Sequence, residues 1–536
     1  MHLYIIEMGI MMQADLALVG GKVLTMNPSQ PFAEAIAIKN DTIVKVGTNE
    51  AVSKWIGKNT KIINLNGKAV VPGFIDTHIH VADFGRFLTW VDLRDVKSIK
   101  EIQSSLIERA QKTAKGKWII GRGWNQNRFA EKRLPTRYDL DLVSLDNPVT
   151  LYHQSEQMCV VNSRALELAG VTKQISAPPD GGIDKDAKTG EPTGILRDAD
   201  TNLVWNMIPA PSGEELVEAA GLACEKIVEA GVTSVHWMVS SSVEISIIQR
   251  LRMENKLPLR VYVIIPINLF DNMTVLSLRK SLEDDTVRVG GVEIFADGYL
   301  AARTAALLQS YSDCPDSSGR LLYTQEEMNT SAVKVHKANL QLVIHAMGDK
   351  AVDSALTTIE ETSKEAPEKE TRNRIEQAAV LNGRLIERMK KHKVIVSVQP
   401  RVIDSEFSVW SAVKHLGAER SRWLFPLKKL LEADIRVCGG SDCPMEPLSP
   451  LLGIQSAVTR EFLPEERITV DKALRLYTID AAYASFEENN KGSIEENKLA
   501  DLTVISQNPH DVAPNEMGGI NVEMTIIGGR VVYSKH

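Results

Sequence analysis

The sequence predicts an α/β protein: a TIM (β/α)8 barrel with a small β-sandwich formed from both termini and a large insertion after barrel strand 1. Three observations carry this. Through the middle of the chain, apolar strands alternate with helical stretches, the pattern of a parallel sheet with crossover helices. Eight such strands can be counted, and their carboxyl ends, where barrel enzymes keep their chemistry, carry histidines and carboxylates. The two ends of the chain share a different texture of short β-rich runs broken by turns, and chain termini often lie close together.

Taken in order, residues 1–10 precede Met11 and Met12 and are expected to be a loose extension or the product of an upstream start codon. From Ala14 to Val71, short runs such as Asp15–Val19, Ala35–Ile38 and Lys61–Leu65 are separated by Gly20-Gly21, Asn40-Asp41 and Asn66-Gly67, residues that suit tight turns. Gly492–Glu495, Ala500–Ile505 and Val522–Tyr533 answer them at the far end. The expected partition is therefore 1–72 and 487–536 for the sandwich and 73–486 for the barrel, with its insertion at about 81–231.

The barrel strands are expected at Gly73–His80, Val232–Met238, Leu259–Ile265, Val292–Asp297, Leu340–His345, Arg374–Ala378, Val394–Gln399 and Ile435–Ser441. A doubly wound open sheet is disfavoured because no glycine-rich phosphate loop follows a strand. The insertion carries its own elements: a helix over Ile99–Lys115, strands at Trp118–Trp124 and Val149–Tyr152, and a helix over Ser163–Ala169. Pro178–Gly182 and Thr189–Gly194 read as turns within it. Inserted loops with this much structure are usually lids or substrate walls.

Composition narrows the function classes. At 536 residues the chain exceeds the ~250–300 residues at which single cores stop growing. Its net charge of -7 is spread without a basic face, so no nucleic acid is expected as a partner. No stretch approaches the ~20 apolar residues of a membrane helix, and Met1–Ile10 contains Glu7 and no basic lead, so no membrane association is expected. Five cysteines without a C-x-x-C pair suit a reducing, cytoplasmic setting. Cys443 reads as a small buried thiol. A homo-oligomer is compatible with the sequence, since such assemblies are common among soluble enzymes.

The chemistry begins in Val70-Val71-Pro72-Gly73-Phe74-Ile75-Asp76-Thr77-His78-Ile79-His80. Side chains alternate across a strand, so His78 and His80 leave the same face and can grip one metal ion. A catalytic zinc needs about three protein ligands and an open position. Later strand ends offer the remainder: Glu293 and Asp297, His345, and Asp442. His236 also ends a strand and lines the pocket, while His153, His336, His392 and His415 are assigned to surface or core. For Asp442 the competing role is a helix N-cap after the last strand.

The ordered set Pro72–His80, Ile294-Phe295-Ala296-Asp297-Gly298, Val343-Ile344-His345-Ala346, Arg374-Ile375-Glu376 and Gly440-Ser441-Asp442-Cys443-Pro444 resembles the amidohydrolase superfamily, in particular its YtcJ-like branch, amidohydrolase family 3. Gly194–Asp198, Asn162–Leu166 and Tyr477–Ala482 extend the match over nearly the whole chain from Ala14. The resemblance implies a metal-bearing barrel and hydrolysis of carbon–nitrogen bonds other than peptide bonds. Three positions depart from the family pattern. Glu293 stands where such enzymes commonly have a lysine, carboxylated to bridge two ions; Gln377 stands where strand six commonly has histidine; Gln157 replaces a histidine of the insertion. An amide oxygen is a weak zinc ligand beside imidazole or carboxylate.

The expected site therefore has His78, His80, Glu293, His345 and Asp442 as metal ligands, with Asp442 and His345 catalytic. Gln157, Gln377, Arg303 and Trp124 are assigned to a small-molecule substrate, although core filling is the simpler role for Trp124 and helix capping an equal one for Arg303. One divalent ion, zinc by preference, is expected, and the second ion of the family is left open. The expected function is a metal-dependent hydrolase of an amide, N-acyl or formamide-like molecule. The alternatives are a single-metal deaminase-type hydrolase and a catalytically degenerate barrel acting as a binding protein.

Overall fold

The computed structural model describes residues 13–144, 146–155, 157–175, 181–270, 284, 286–365, 370–405 and 409–535. Eight strands make the central sheet: β1 (Phe74–Ile79), β2 (Val232–Met238), β3 (Arg260–Pro266), β4 (Val287–Phe295), β5 (Gln341–Ala346), β6 (Arg374–Gln377), β7 (Ile395–Val398) and β8 (Val437–Gly439). Each pairs in parallel with the next in chain order. Nearly every residue in them is buried, as the continuous apolar runs of a sheet covered on both faces require.

The barrel is nearly closed, and its seam lies at the carboxyl end. The Asp442 amide donates to the His78 carbonyl at 2.8 Å, and the His80 amide to the Cys443 carbonyl at 2.9 Å. Ile79 and Cys443 form a parallel bridge. The loop after β8 is thereby fixed against the end of β1, which brings together two parts of the chain more than 350 residues apart.

β4 begins five residues before the expected Val292. Glycines usually bound a strand, but Gly290 lies within this one because a side chain there would meet the Tyr262 ring of β3, with its Cβ only 1.9 Å from the ring carbons.

The terminal segments form two sheets. One has the order Thr42–Gly47, Ala35–Lys39, Leu16–Val19, Lys61–Asn64; the other runs Arg530–Ser534, Val522–Ile527, Leu502–Ile505, Ala69–Pro72, Lys22–Leu24, Phe32–Ala33. Leu18, Ile36 and Ile38 of the first share a core with Val23, Val70, Leu502 and Val504 of the second. Ala69–Pro72 pairs with Leu502–Ile505 and leads directly into β1. The Arg260–Asp501 ion pair, at 2.7 Å and almost fully buried, ties β3 to the C-terminal segment.

Ala82–Leu222 is a compact unit of its own, and the rest of the described chain is the other. Its sheet has the order Gly181–Lys185, Pro192–Asp198, Met158–Val161, Val149–His153, Ile119–Trp124, Val91–Asp92. Here two expected turns are corrected. Gly181-Gly182 and Pro192–Gly194 are strand residues, because Gly181–Lys185 and Pro192–Asp198 pair as a hairpin. The turn itself is narrower, around Thr189-Gly190, where Gly190 has a φ of +72°. Residues 1–12, with the Met11-Met12 start, and Pro178–Asp180 lie outside the described residues. The five cysteines form no disulfide, and Cys443 is buried. No helix among the described residues is long and apolar enough to cross a membrane.

Candidate metal centre

Strand alternation sends His78 and His80 from one face of the end of β1, and barrel closure sets Asp442 against them. The Nε2 atoms of His80 and His78 lie 3.3 and 3.6 Å from Asp442 Oδ1. The three residues form a group whose donor atoms all fall within 4.8 Å of one another. Asp442 adopts a left-handed φ of 56°, a conformation that costs about 1–3 kcal/mol and concentrates at functional sites. It does not cap a helix, since the next one, Pro450–Thr459, is capped by Ser449.

A second line of buried groups stands behind His78. Its Nδ1 donates to Glu376 Oε2 at 2.8 Å, which leaves Nε2 turned to the Asp442 side. Glu376 Oε1 accepts from Arg374 Nε at 2.9 Å and Nη2 at 2.6 Å. Arg374 also donates from Nη1 to His236 Nδ1 at 2.7 Å. A guanidinium has only donors, so His236 accepts at Nδ1 and carries its hydrogen on Nε2. Burial, and then the Arg374 charge, hold His236 well below its ordinary pKa. The expected pocket-lining histidine is thus a neutral support for Arg374.

Electrostatics mark the same region. Burial alone would lower the His78 pKa, but Asp442, the Glu376 hydrogen bond and Glu293 push it up to about 9. Glu293 is raised to about 7, first by burial and then by Glu376 and Asp442, against the opposing pull of His78 and His80. Despite burial, Asp442 is held below the usual carboxylate range by His78 and then His80. The buried Glu293 Oε1 and Gln377 Oε1 have no hydrogen-bond partner among the described residues. Two imidazoles, a carboxylate and orphaned buried oxygens form a donor set that fits a divalent metal ion.

Glu293 and His345 are not members of the three-residue group. The His345 ring stacks on Phe295 at 4.8 Å, and its Nε2 lies 3.5 Å from the Gly298 carbonyl and 4.0 Å from Asp297 Oδ1. Burial lowers its pKa to about 4, so the ring is neutral. Gln377 donates from Nε2 to Asp442 Oδ2 at 3.3 Å. Regular alternation would turn Gln377 away from the face that Glu376 occupies; its φ of 70° breaks the alternation and lets it reach Asp442. Asp297 serves the backbone instead of an ion. Its carboxylate accepts from the amides of Ala306, Met347 and Gly348, pinning the loops after β4 and β5.

Two residues assigned to the substrate are engaged by other groups of the chain. The Arg303 guanidinium is engaged by Asp313 at 3.1 and 2.8 Å and caps no helix. Trp124 is fully buried in the core of the Ala82–Leu222 unit, and its indole N–H donates to the Leu151 carbonyl at 2.8 Å. Gln157 belongs to that unit as well; it is exposed on the turn before Met158–Val161.

Sequence reasoning passes over the supporting roles of Glu376 and Arg374. The signal is present, since Arg374-Ile375-Glu376 has the same spacing as His78-Ile79-His80 and places both side chains on one face.

A family model described as the amidohydrolase family matches residues 61–533. The Bacillus subtilis protein YtcJ is 32% identical over 96% of this chain and 99% of its own. An N-substituted formamide deformylase from Arthrobacter pascens is 28% identical over 97% of this chain and 98% of its own. The crystal structure of an uncharacterized metal-dependent hydrolase from Pyrococcus furiosus superposes with a TM-score of 0.76 at 30% identity, covering 92% of this chain and 99% of that one.

Proposed function

The chain belongs to the amidohydrolase family, and we propose that it hydrolyses a carbon–nitrogen bond other than a peptide bond in a small amide, N-acyl or formamide-like substrate, with one divalent ion, zinc by preference. The observation that carries this is the convergence of His78, His80 and Asp442 at the barrel seam. The deformylase relative supports an amide-type substrate. His78 and His80 through Nε2, and Asp442 through Oδ1, would hold the ion. Glu293, buried with an unpartnered Oε1, is the further carboxylate of the region.

A divalent ion in such a site supplies acidification of water and polarisation of the scissile carbonyl. The rest falls to the chain's own groups. Glu376 orients His78 and fixes its tautomer, as carboxylates behind metal-binding histidines do. Asp442 takes the proton of the attacking water at Oδ2, the oxygen not turned to the histidine pair, and passes it to the leaving nitrogen. Gln377 steadies that oxygen. His345 is neutral and positions the reacting groups by hydrogen bonding without competing for the proton.

The single-ion reading rests on Gln377. Its amide N–H2 donates to Asp442 Oδ2, and the amide oxygen it has left would be a weak ligand beside imidazole or carboxylate. Elemental analysis of the purified protein and a screen of N-acyl amino acids, formamides, cyclic amides and lactones test the proposal together. A protein that holds no ion and stays inactive after addition of zinc, manganese or cobalt would overturn it.

A further inference from the structure

β7 ends in an amide that the site described so far does not use. Ser397 faces the barrel interior: its Oγ lies 3.1 Å from Thr77 Oγ1, and it stands in register with Glu376. Gln399 follows two residues later. Because it precedes Pro400, its backbone is held in the extended range, so alternation continues and Gln399 shares the face of Ser397, one layer nearer the carboxyl end of the barrel. It is 0% exposed, yet neither Oε1 nor Nε2 has a hydrogen-bond partner among the described residues. A buried amide with both ends unpaired is costly to stability, and native structures keep few such groups without a reason.

The neighbouring strand repeats the feature. Gln377 commits its N–H2 to Asp442, so the atom left over is Oε1, an acceptor that is also buried and unpartnered. Among the described residues, the end of the barrel at β6 and β7 thus leaves two acceptors and one donor pair without a hydrogen-bond partner. A molecule that answers them must bring an N–H and a carbonyl oxygen.

We propose that Gln399 is a specificity-determining residue that reads an amide carrying both C=O and N–H, donating from Nε2 to the ligand oxygen, with the ligand N–H accepted by the Gln399 and Gln377 oxygens. Lactams, whose ring holds C=O and N–H on the same side, meet this demand. Tertiary amides and esters have no N–H and leave the acceptors buried and unpaired, the situation in which sites discriminate most strongly. The inference deepens the carbon–nitrogen hydrolase reading and rests on it for the meaning of the bound amide.

The test separates the two. Binding of 2-pyrrolidinone, N-methyl-2-pyrrolidinone and γ-butyrolactone to the metal-loaded full chain is followed by intrinsic tryptophan fluorescence. The lactam with its N–H is expected to bind at least about 100-fold more tightly than the other two. In Gln399→Met, which keeps the side-chain volume, the preference for the lactam shrinks to what the Gln377 oxygen alone supplies, and the melting temperature stays at or above that of the wild type, because an unpaired polar group has been removed. Equal binding of the three by the wild type, no saturable binding of the lactam, a preference undiminished in Gln399→Met, or a melting temperature lowered in that variant each overturns the proposal. Turnover of 2-pyrrolidinone and N-methyl-2-pyrrolidinone provides the second arm. Equal kcat/KM for both sinks the role of Gln399 and leaves the hydrolase intact. A lactam preference with no turnover of any amide sinks the hydrolase and leaves the recognition role standing.

Discussion

Glu376 Oε2 and His78 Nδ1 are 2.8 Å apart, and both side chains are buried at the carboxyl end of the barrel. That contact decides which nitrogen of His78 is free, and so decides that the histidine faces Asp442 through Nε2.

The Glu376→Gln variant is expected to bind its divalent ion about 10- to 100-fold more weakly, the usual effect of losing a carboxylate behind a metal-binding histidine. It also leaves the fully buried Arg374 without its anion, a loss of about 3–5 kcal/mol of stability. Competition with a chelating indicator and urea unfolding measure the two effects. An unchanged affinity would remove Glu376 from the metal centre.

The metal-free protein is expected to lose stability as pH rises from about 7 to 9, above the range in which His236 and His345, both depressed in the fold, add stability with rising pH. His78 has its folded pKa raised from 6.5 to about 9, so its favourable contribution is complete below 6.5 and disappears as pH passes through 9. Glu293 is raised from 4.5 to about 7, so its protonated form favours the fold below 4.5 and this too is lost on passing through 7. Both act in the same direction. A divalent ion competes with these protons, so its affinity climbs over the same range. Melting curves of chelated and metal-loaded protein between pH 7 and pH 9 check the sign; a chelated protein that grows more stable with pH across that range contradicts it.

Gln377→His replaces an amide that donates to Asp442 by an imidazole that can ligate. The expected outcome is a rise from one bound ion per chain towards two, read by elemental analysis after dialysis. An unchanged stoichiometry counts against Gln377 as the residue that keeps the site to one ion.

Trp124→Ala is expected to destabilise the Ala82–Leu222 unit by about 3–5 kcal/mol, the cost of emptying an aromatic core position, and to leave KM at its wild-type value. Chemical denaturation and steady-state kinetics distinguish this from a substrate contact, which would raise KM in a stable protein. Arg303→Ala is likewise expected to retain wild-type kcat and KM, because its guanidinium is occupied by Asp313.

Much of the barrel is legible because its strands are buried on both faces and so read as uninterrupted apolar runs. The start of β4 is obscured for a local reason, a glycine that admits Tyr262 and resembles a strand end in the one-dimensional text. Gln377 and Asp442 stand out by position. Their contact is not visible in the sequence, since it depends on two left-handed residues whose φ values are set by the surrounding fold.

By itself the sequence determined the order of strands, the face shared by His78 and His80, and the strand-end positions of Glu293, His345 and Asp442, because each follows from alternation within a few residues. Only the tertiary structure decided which of these meet. Closing β8 on β1 set Asp442 beside the histidine pair, and packing β6 inside the barrel put Glu376 behind His78. The same packing assigned Asp297 to loop amides, Arg303 to Asp313 and Trp124 to a core. Local chemistry names the groups that can act, whereas partners separated by hundreds of residues are chosen by the barrel's closure, which no short stretch of chain encodes.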